Sequence, residues 1–158
     1  MTRSRLRNYK NFQVSIQNKE KDIAHEERML DECTDMAAPI SKYGGTPGGG
    51  TSELTPVGRA ADKRMQRSAR LIELRRDREE LVRIVGKIDY SVENLKKEEA
   101  EIIRAYYFEG KSWVQIGYEH NMSERWAREK GNRAVKELAL MMFGLKAVPQ
   151  QMNFVFTE

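Results

Sequence analysis

The feature that most constrains this chain is an apolar repeat, with side chains three and four residues apart, between positions 71 and 95. Such a repeat puts its apolar side chains on one face of a helix, and a seven-residue period is typical of coiled coils. Only Arg78 interrupts it. The repeat predicts a long helix whose partner is either an earlier helix of this chain or the same helix of a second subunit. We name its members the heptad seam: Leu71, Leu74, Leu81, Val85, Ile88 and Val92.

The N-terminal part of the chain offers such an earlier helix. Its apolar residues recur at spacings of three, four and seven with charged residues between them, which predicts one amphipathic helix over about 5–36. The next stretch, 37–56, is rich in glycine and proline and predicts a flexible linker. Thr55 as N-cap and Pro56 in the first turn then predict that helix resumes and carries the heptad seam.

Composition excludes several classes of protein. Of the 158 residues, 39% are apolar and 33% are charged, which fits extended helices joined by thin apolar seams. No run of ten consecutive apolar residues occurs, so the sequence predicts neither a membrane span nor a secretory signal. The single cysteine, Cys33, and the two histidines, His25 and His120, offer no disulfide, zinc site or catalytic set. We therefore expect a cytoplasmic protein with no enzymatic activity, cofactor or metal.

A different pattern, of short helices, begins near residue 97. An acidic start at Glu98, Glu99 and Glu101 suits the N-terminus of a first short helix. Ser112 and Gln115 then have the spacing of a capping box, which predicts a second helix. Asn121 tolerates the left-handed backbone of a tight turn, and Ser123 is placed to cap a third helix. Residues 97–143 are therefore predicted to form a helix-turn-helix unit. Its third helix should turn inward at Ala127, Ala134 and Leu138.

The outward face of that third helix is suited to DNA. Arginine pairs with guanine O6 and N7, and glutamate accepts from cytosine N4, so both can read base edges in the major groove. Gly117 lies where the two helices are predicted to approach closely. The candidates for base reading are Glu124, Arg125, Arg128 and Glu129. The candidates for the DNA backbone are Lys111, Ser112, Ser123, Arg133 and Lys136.

These residues resemble a known motif. Its members here are Tyr107-Phe108-Glu109-Gly110-Lys111-Ser112-Trp113, Ile116-Gly117, Ser123, Ala127, Arg133-Ala134 and Leu138. They resemble the fourth-region helix-turn-helix of bacterial sigma factors. The layout of the chain is similar to the ArpU/RinA family of late-gene transcription regulators from phages and prophages of Gram-positive bacteria. This chain departs from the pattern at Trp126, where polar or small residues are usual, and at Gly117, which replaces the common alanine.

The resemblance implies an activator that binds promoter DNA upstream of packaging and structural genes in the bacterial host cell. Double-stranded promoter DNA and host RNA polymerase are then the expected partners. One isolated helix-turn-helix buries little DNA surface, so we expect a homo-oligomer joined through the heptad seam. Two alternatives stay open. One is a small terminase subunit that binds a packaging site. The other is a module that binds polymerase or a sigma factor through 59–95 without touching DNA.

The predicted fold class is all-α, with long amphipathic N-terminal helices as a helical hairpin or coiled coil and a C-terminal sigma-like helix-turn-helix. A basic run over 63–78 carries a net charge of +5, which indicates a solvated helix face or a second surface for nucleic acid or polymerase. Alternating apolar residues over 151–157 resemble a strand. The predicted segments are 1–36 (amphipathic helix), 37–56 (linker), 57–96 (oligomerisation helix), 97–143 (helix-turn-helix) and 144–158 (tail).

Overall fold

The computed structural model describes residues 1–35 and 56–147, and every regular element in these ranges is helical. The all-α class predicted from the sequence is thus confirmed. The predicted linker, apart from Pro56, and the strand-like pattern over 151–157 lie outside the described residues. The helices are α1 (Thr2–Arg7), α2 (Tyr9–Asp35), α3 (Pro56–Glu93), α4 (Lys97–Ile103), α5 (Trp113–Glu119) and α6 (Glu124–Phe143). A π-helical turn (Arg104–Phe108) follows α4, and a 3₁₀ turn (Gly144–Ala147) follows α6.

The single helix expected over 5–36 is in fact two helices, α1 and α2, that meet at Asn8. The backbone of Asn8 has φ −89° and ψ 5°, which is outside the helical region. Its amide still donates to the Ser4 carbonyl at 3.1 Å, and its carbonyl accepts from the Phe12 amide at 2.9 Å. Asparagine side chains compete with helical hydrogen bonding, so this residue is a natural place for the bend.

Residues 1–14 pack with residues 82–147 as one compact unit. Its core takes Leu6 from α1 and Ile88 and Val92 from α3, all at most 1% exposed. Ile103 and Leu138 complete the centre of this cluster from α4 and α6. Burial of apolar surface contributes about 25 cal/mol per Å², so these contacts make the N-terminal residues part of the C-terminal unit's stability.

The second compact unit comprises the described parts of 15–81, and in it α2 and α3 run antiparallel. Ion pairs join the middle of α2 to the middle of α3: Lys19 with Asp77 at 2.7 Å, Glu20 with Arg78 at 2.6 Å and Glu27 with Arg75 at 2.6 Å. Arg78, which interrupts the apolar repeat, is thereby paired with Glu20 within the chain. Of the two partners that the sequence left open, the structure thus has the earlier helix of the same chain.

The members of the heptad seam differ in burial. Leu71 is buried, and Leu74, Leu81 and Val85 are half-buried. Ile88 and Val92 were expected to contact a second subunit, but they lie in the core formed by α1, α4 and α6 of their own chain. That part of the expected interface is therefore corrected, because atoms of the same chain already cover both side chains.

Candidate nucleic-acid interface

The residues after α4 form an aromatic joint. The π-helical turn places Tyr106 and Phe108 on different neighbours. Tyr106 stacks on Trp113 of α5 with ring centroids 4.0 Å apart, and Phe108 stacks on Tyr9 of α2 at 4.1 Å. The turn ends at Gly110, whose φ of 78° favours glycine. The aromatic joint therefore holds both α5 and the start of α2 against the residues that follow α4.

Helix α5 begins with the predicted capping box. The Gln115 amide donates to Ser112 Oγ at 3.3 Å, and the Ser112 amide donates to Gln115 Oε1 at 2.9 Å. Two amides that have no partner inside the helix are satisfied in this way. The capping box is confirmed, and it defines where α5 starts relative to the aromatic joint.

The turn between α5 and α6 also follows the prediction. Asn121 takes a left-handed φ of 51°, and the Trp126 amide donates to the Ser123 side chain at 3.2 Å. A Cβ atom added to Gly117 would lie 2.7 Å from the Met122 carbonyl oxygen and 3.3 Å from the Glu124 amide nitrogen. Gly117 therefore permits an approach of α5 to the turn that no larger residue permits without movement of the backbone.

One face of α6 is buried against α4 and α5. Ala127, Ala134 and Leu138 are fully buried, as predicted. Gly131, which was not predicted to lie at a contact, belongs to the same buried face: a Cβ added to it would lie 2.6 Å from Cη2 of Trp113. Its position four residues after Ala127, on the same helical face, was the available signal. The small residues of this face let the Trp113 ring lie directly on the α6 backbone.

The first two turns of α6 carry the four candidates for base reading, and all four are exposed. They form two ion pairs along the helix: Arg128 donates to Glu124 at 2.6 Å, and Arg125 donates to Glu129 at 3.2 Å. Exposed pairs of this spacing contribute only about 0.3–0.5 kcal/mol, so contact with a ligand can replace them at low cost. Trp126 lies on the first turn of α6 and is 49% exposed.

The candidates for backbone contact fall into distinct environments. Ser112 and Ser123 cap α5 and α6, as described above. Lys111 is held between two carboxylates, at 2.9 Å from Glu119 and 3.0 Å from Glu109. These hydrogen bonds, to Glu119 first and Glu109 second, raise the pKa of Lys111. Lys136 is exposed and has no ion pair among the described residues. It is therefore the candidate most available for a phosphate.

Arg133 is tied to α4 by a buried carboxylate. Its Nε and Nη2 atoms donate to Oε1 of Glu99 at 3.1 Å and 2.9 Å. Glu99 is 2% exposed, and its Oε2 atom has no hydrogen-bond partner among the described residues. Glu99 looked like an ordinary acidic residue at a helix start, because nothing local in the sequence links it to a residue 34 positions away. It orients the Arg133 side chain, which keeps 56% exposure.

The described residues hold no cluster of three or more His, Cys, Asp or Glu arranged for a metal ion. Nor does any helix in that part of the chain have the length and apolar content to cross a membrane. What the region 97–143 offers is a polar, charged helix face on a rigid support, with basic side chains nearby.

Comparisons with known proteins give one result. Neither the curated proteins nor the solved structures contain a match to this chain. Residues 3–139 match one family along almost the whole described length, across both compact units. The chain belongs to that family, which is described as "Protein of unknown function (DUF722)".

Proposed function

We propose that this protein is a sequence-specific binder of double-stranded DNA that places the start of α6 in the major groove. The observation that carries the proposal is the exposed, charged face of α6 at Glu124, Arg125, Arg128 and Glu129. The side of α6 formed by Ala127, Ala134 and Leu138 is fully buried. The close contact at Gly117 holds α5 against the turn that precedes α6. A recognition helix needs both a polar outward face over its first turns and a short helix that supports it.

The ion pair between Glu124 and Arg128 suits base recognition. Arg128 offers several N–H donors in a planar fork, which matches O6 and N7 of guanine. Glu124 accepts one of them at 2.6 Å and so holds the guanidinium at the helix surface before DNA arrives. On binding, Glu124 is free to accept from cytosine N4, while Arg128 moves to guanine.

The biological role in this proposal comes from the resemblance to the ArpU/RinA regulators and to the sigma-factor motif. The protein activates late genes of a phage or prophage, which encode packaging and structural proteins, and acts with host RNA polymerase in the host cytoplasm. It performs no catalysis and takes no cofactor. Two or more copies bind together, since one such unit contacts little DNA.

The first experiment is a gel shift with DNA from upstream of the late genes of the element that encodes the chain. A packaging-site fragment and a coding fragment of equal length serve as comparison DNAs. We expect a preference for the upstream fragment of about 10³-fold or more over coding DNA. Preference for the packaging-site fragment would favour a small terminase subunit. Equal binding to all fragments would contradict sequence-specific recognition.

The variant Arg128→Ala tests the assignment of base reading. We expect it to weaken binding to the preferred fragment by about 1–3 kcal/mol and to leave binding to coding DNA nearly unchanged. Lys136→Ala is the matched comparison on the same helix. It should weaken both DNAs alike and reduce the salt dependence by about one released counterion. If Arg128→Ala weakens both DNAs equally, Arg128 is a backbone contact instead.

A further inference from the structure

A polar groove lies in the unit formed by the described parts of 15–81, which does not contain the helices proposed to read bases. It has a volume of about 570 Å³ and runs along α2 and α3. All of its lining side chains are polar or charged: His25, Glu26, Lys63, Gln66, Arg67 and Arg70. The groove is therefore built for a charged ligand and not for an apolar one.

One buried carboxylate organises the cations of this groove. Glu26 is only 5% exposed, and its two oxygens lie 2.9 Å from Nη1 of Arg67 and 3.5 Å from Nε of Arg70. Each guanidinium has five N–H donors, so most donors of both arginines are left for another acceptor. Glu26 thus fixes the side chains of Arg67 and Arg70 without using up their capacity.

Positive charge exceeds negative charge in the groove and continues along the helix. The lining contains three cationic side chains, Lys63, Arg67 and Arg70, and one carboxylate, that of Glu26. Exposed Arg59, one turn before Lys63, extends the same helical face. From Arg59 to Arg70 the stripe is about 16 Å long at 1.5 Å per residue. Double-stranded DNA carries one charge per about 1.7 Å of axis, so a linear polyanion of this kind matches the stripe.

We propose that this groove binds the sugar-phosphate backbone of double-stranded DNA as a second contact that does not depend on sequence. We name the site the hairpin groove. The inference rests on the proposed function to the extent that the polyanion is the same DNA that α6 reads. The contact would add affinity and leave base selection to α6, because phosphate contacts position a protein and base contacts give it specificity.

The lining favours nucleic acid over an acidic protein segment. The residues that carry most of the binding energy of protein interfaces are enriched in tryptophan, tyrosine and arginine, and they lie in well-packed pockets from which water is excluded. The hairpin groove offers no apolar side chain in its lining for such an anchor. A phosphate backbone needs only cations and hydrogen-bond donors, and both are present at Lys63, Arg67 and Arg70.

The test is binding of the full chain to a random-sequence duplex at several salt concentrations, measured by fluorescence anisotropy. The double variant Lys63→Gln/Arg70→Gln leaves Arg67 to pair with Glu26. Loss of two phosphate contacts should reduce the slope of log K against log salt by about 1.8. The control, Arg76→Gln/Arg83→Gln, removes the same charge from two exposed residues on the opposite face of α3. It should leave the slope unchanged.

A second variant keeps the proposal open to refutation even if the first one is unstable. Gln66→Lys adds a cation to the hairpin groove, and we expect it to steepen the slope by about one. Equal slopes for the parent, the double variant and Gln66→Lys would overturn the proposal. The same proteins are also tested for binding to polyglutamate. A double variant that loses binding to polyglutamate but keeps its binding to DNA would also overturn the proposal, because the partner of the groove would then be an acidic protein.

Failure of this inference is distinguishable from failure of the proposed function. The hairpin groove is tested on random DNA, whereas base reading is tested by the preference for the upstream fragment. If the parent shows no sequence preference but the salt slope still changes in the groove variants, the proposal for the hairpin groove stands and the proposal for α6 fails. If the parent prefers the upstream fragment but the groove variants leave the salt slope unchanged, the proposal for α6 stands and the proposal for the hairpin groove fails.

Discussion

At the scale of single residues, two glycines of this chain differ in whether the surrounding structure leaves room for a side chain. A Cβ on Gly117 would lie 2.7 Å from a backbone oxygen of the turn, whereas a Cβ on Gly86 of α3 would meet nothing within 4 Å. Gly117→Ala should therefore cost about 1–3 kcal/mol in the free energy of unfolding, because the backbone must move. Urea denaturation of the full chain measures this loss.

Gly86→Ala is the matched control. Alanine is the better residue in a helix interior by about 0.5–1 kcal/mol, so this variant should be more stable than the parent. The DNA preference of Gly117→Ala should also fall, since the Gly117 contact supports the start of α6. A Gly117→Ala variant as stable as the parent would show that the contact between α5 and the turn is looser than the structure has it.

Tyr9 gives the chain a dependence on alkaline pH. Its hydroxyl donates to Asp89 at 2.6 Å, and burial together with this hydrogen bond raises the pKa of Tyr9 from 10.0 to about 12. The folded state thus holds the phenol proton more tightly than the unfolded state does. The stability gained from this is complete below about pH 10 and is lost as the pH rises toward about 12.

The variant Tyr9→Phe should therefore be less stable than the parent below about pH 10, and the difference should shrink between pH 10 and 12. Urea denaturation of both proteins across that range measures the difference. Tyr90→Phe is the control, since Tyr90 is 71% exposed. A difference for Tyr9→Phe that stays constant up to pH 12 would mean that the phenol is not held as described.

The residues that sequence analysis found in the region 97–143 are those whose partners are near in the chain. Ser112 and Ser123 cap amides three residues on, Asn121 shapes the turn through its own backbone, and Gly117 lies close to residues only five to seven positions on. Glu99 went unrecognised because its partner, Arg133, is far along the chain. Caps and turns follow from local chemistry, whereas an ion pair between helices depends on how those helices pack.

At the scale of helices, the apolar repeat predicted the length of α3 well but did not identify its partner. The prediction of a helix from about 57 agrees with a start at Pro56, because capping and periodicity are local properties. The partner was ambiguous, because a heptad fits a hairpin as well as a dimer. The structure assigns Ile88 and Val92 to an internal core, which leaves Leu74, Leu81 and Val85 with exposed surface.

Assembly through the remaining exposed part of the heptad seam is testable at Leu81. We expect Leu81→Glu to give a smaller species in light scattering and to bind the upstream fragment more weakly. The reason is that a charge without a partner is costly to bury against a second copy. Circular dichroism should show parent-like helix content, which separates loss of assembly from unfolding.

Val82→Glu provides the control for Leu81→Glu. Val82 is adjacent in sequence but lies outside the seam and is 42% exposed. Val82→Glu should leave the mass of the assembly, as measured by light scattering, equal to that of the parent. A Leu81→Glu protein of parental mass with full DNA binding would contradict assembly through the seam. A loss of mass in Val82→Glu alone would place the interface on a different face of α3.

At the scale of the whole molecule, composition divides the chain differently from packing. The glycine- and proline-rich stretch suggested a boundary that separates 1–36 from the rest. In the structure residues 1–14 instead belong with 82–147, and Leu6 is buried in that unit. Composition suggests where a chain is divided into segments, but it carries no information on which distant helices pack together.

This packing predicts that the region 97–143, for which we propose DNA binding, does not fold alone. A fragment of residues 96–158 retains α4, α5 and α6 but lacks Leu6, Ile88 and Val92, which are at most 1% exposed in the full chain. Without them the apolar face of α6 at Leu138 is left open to water. The fragment should therefore melt without a cooperative transition, whereas the full chain melts cooperatively. Leu6→Ala in the full chain should cost about 2–5 kcal/mol, while Leu140→Ala, at a half-exposed site, should cost far less. A fragment 96–158 that unfolds cooperatively and prefers the upstream DNA would contradict this prediction, because α4, α5 and α6 would then fold without the residues that precede them.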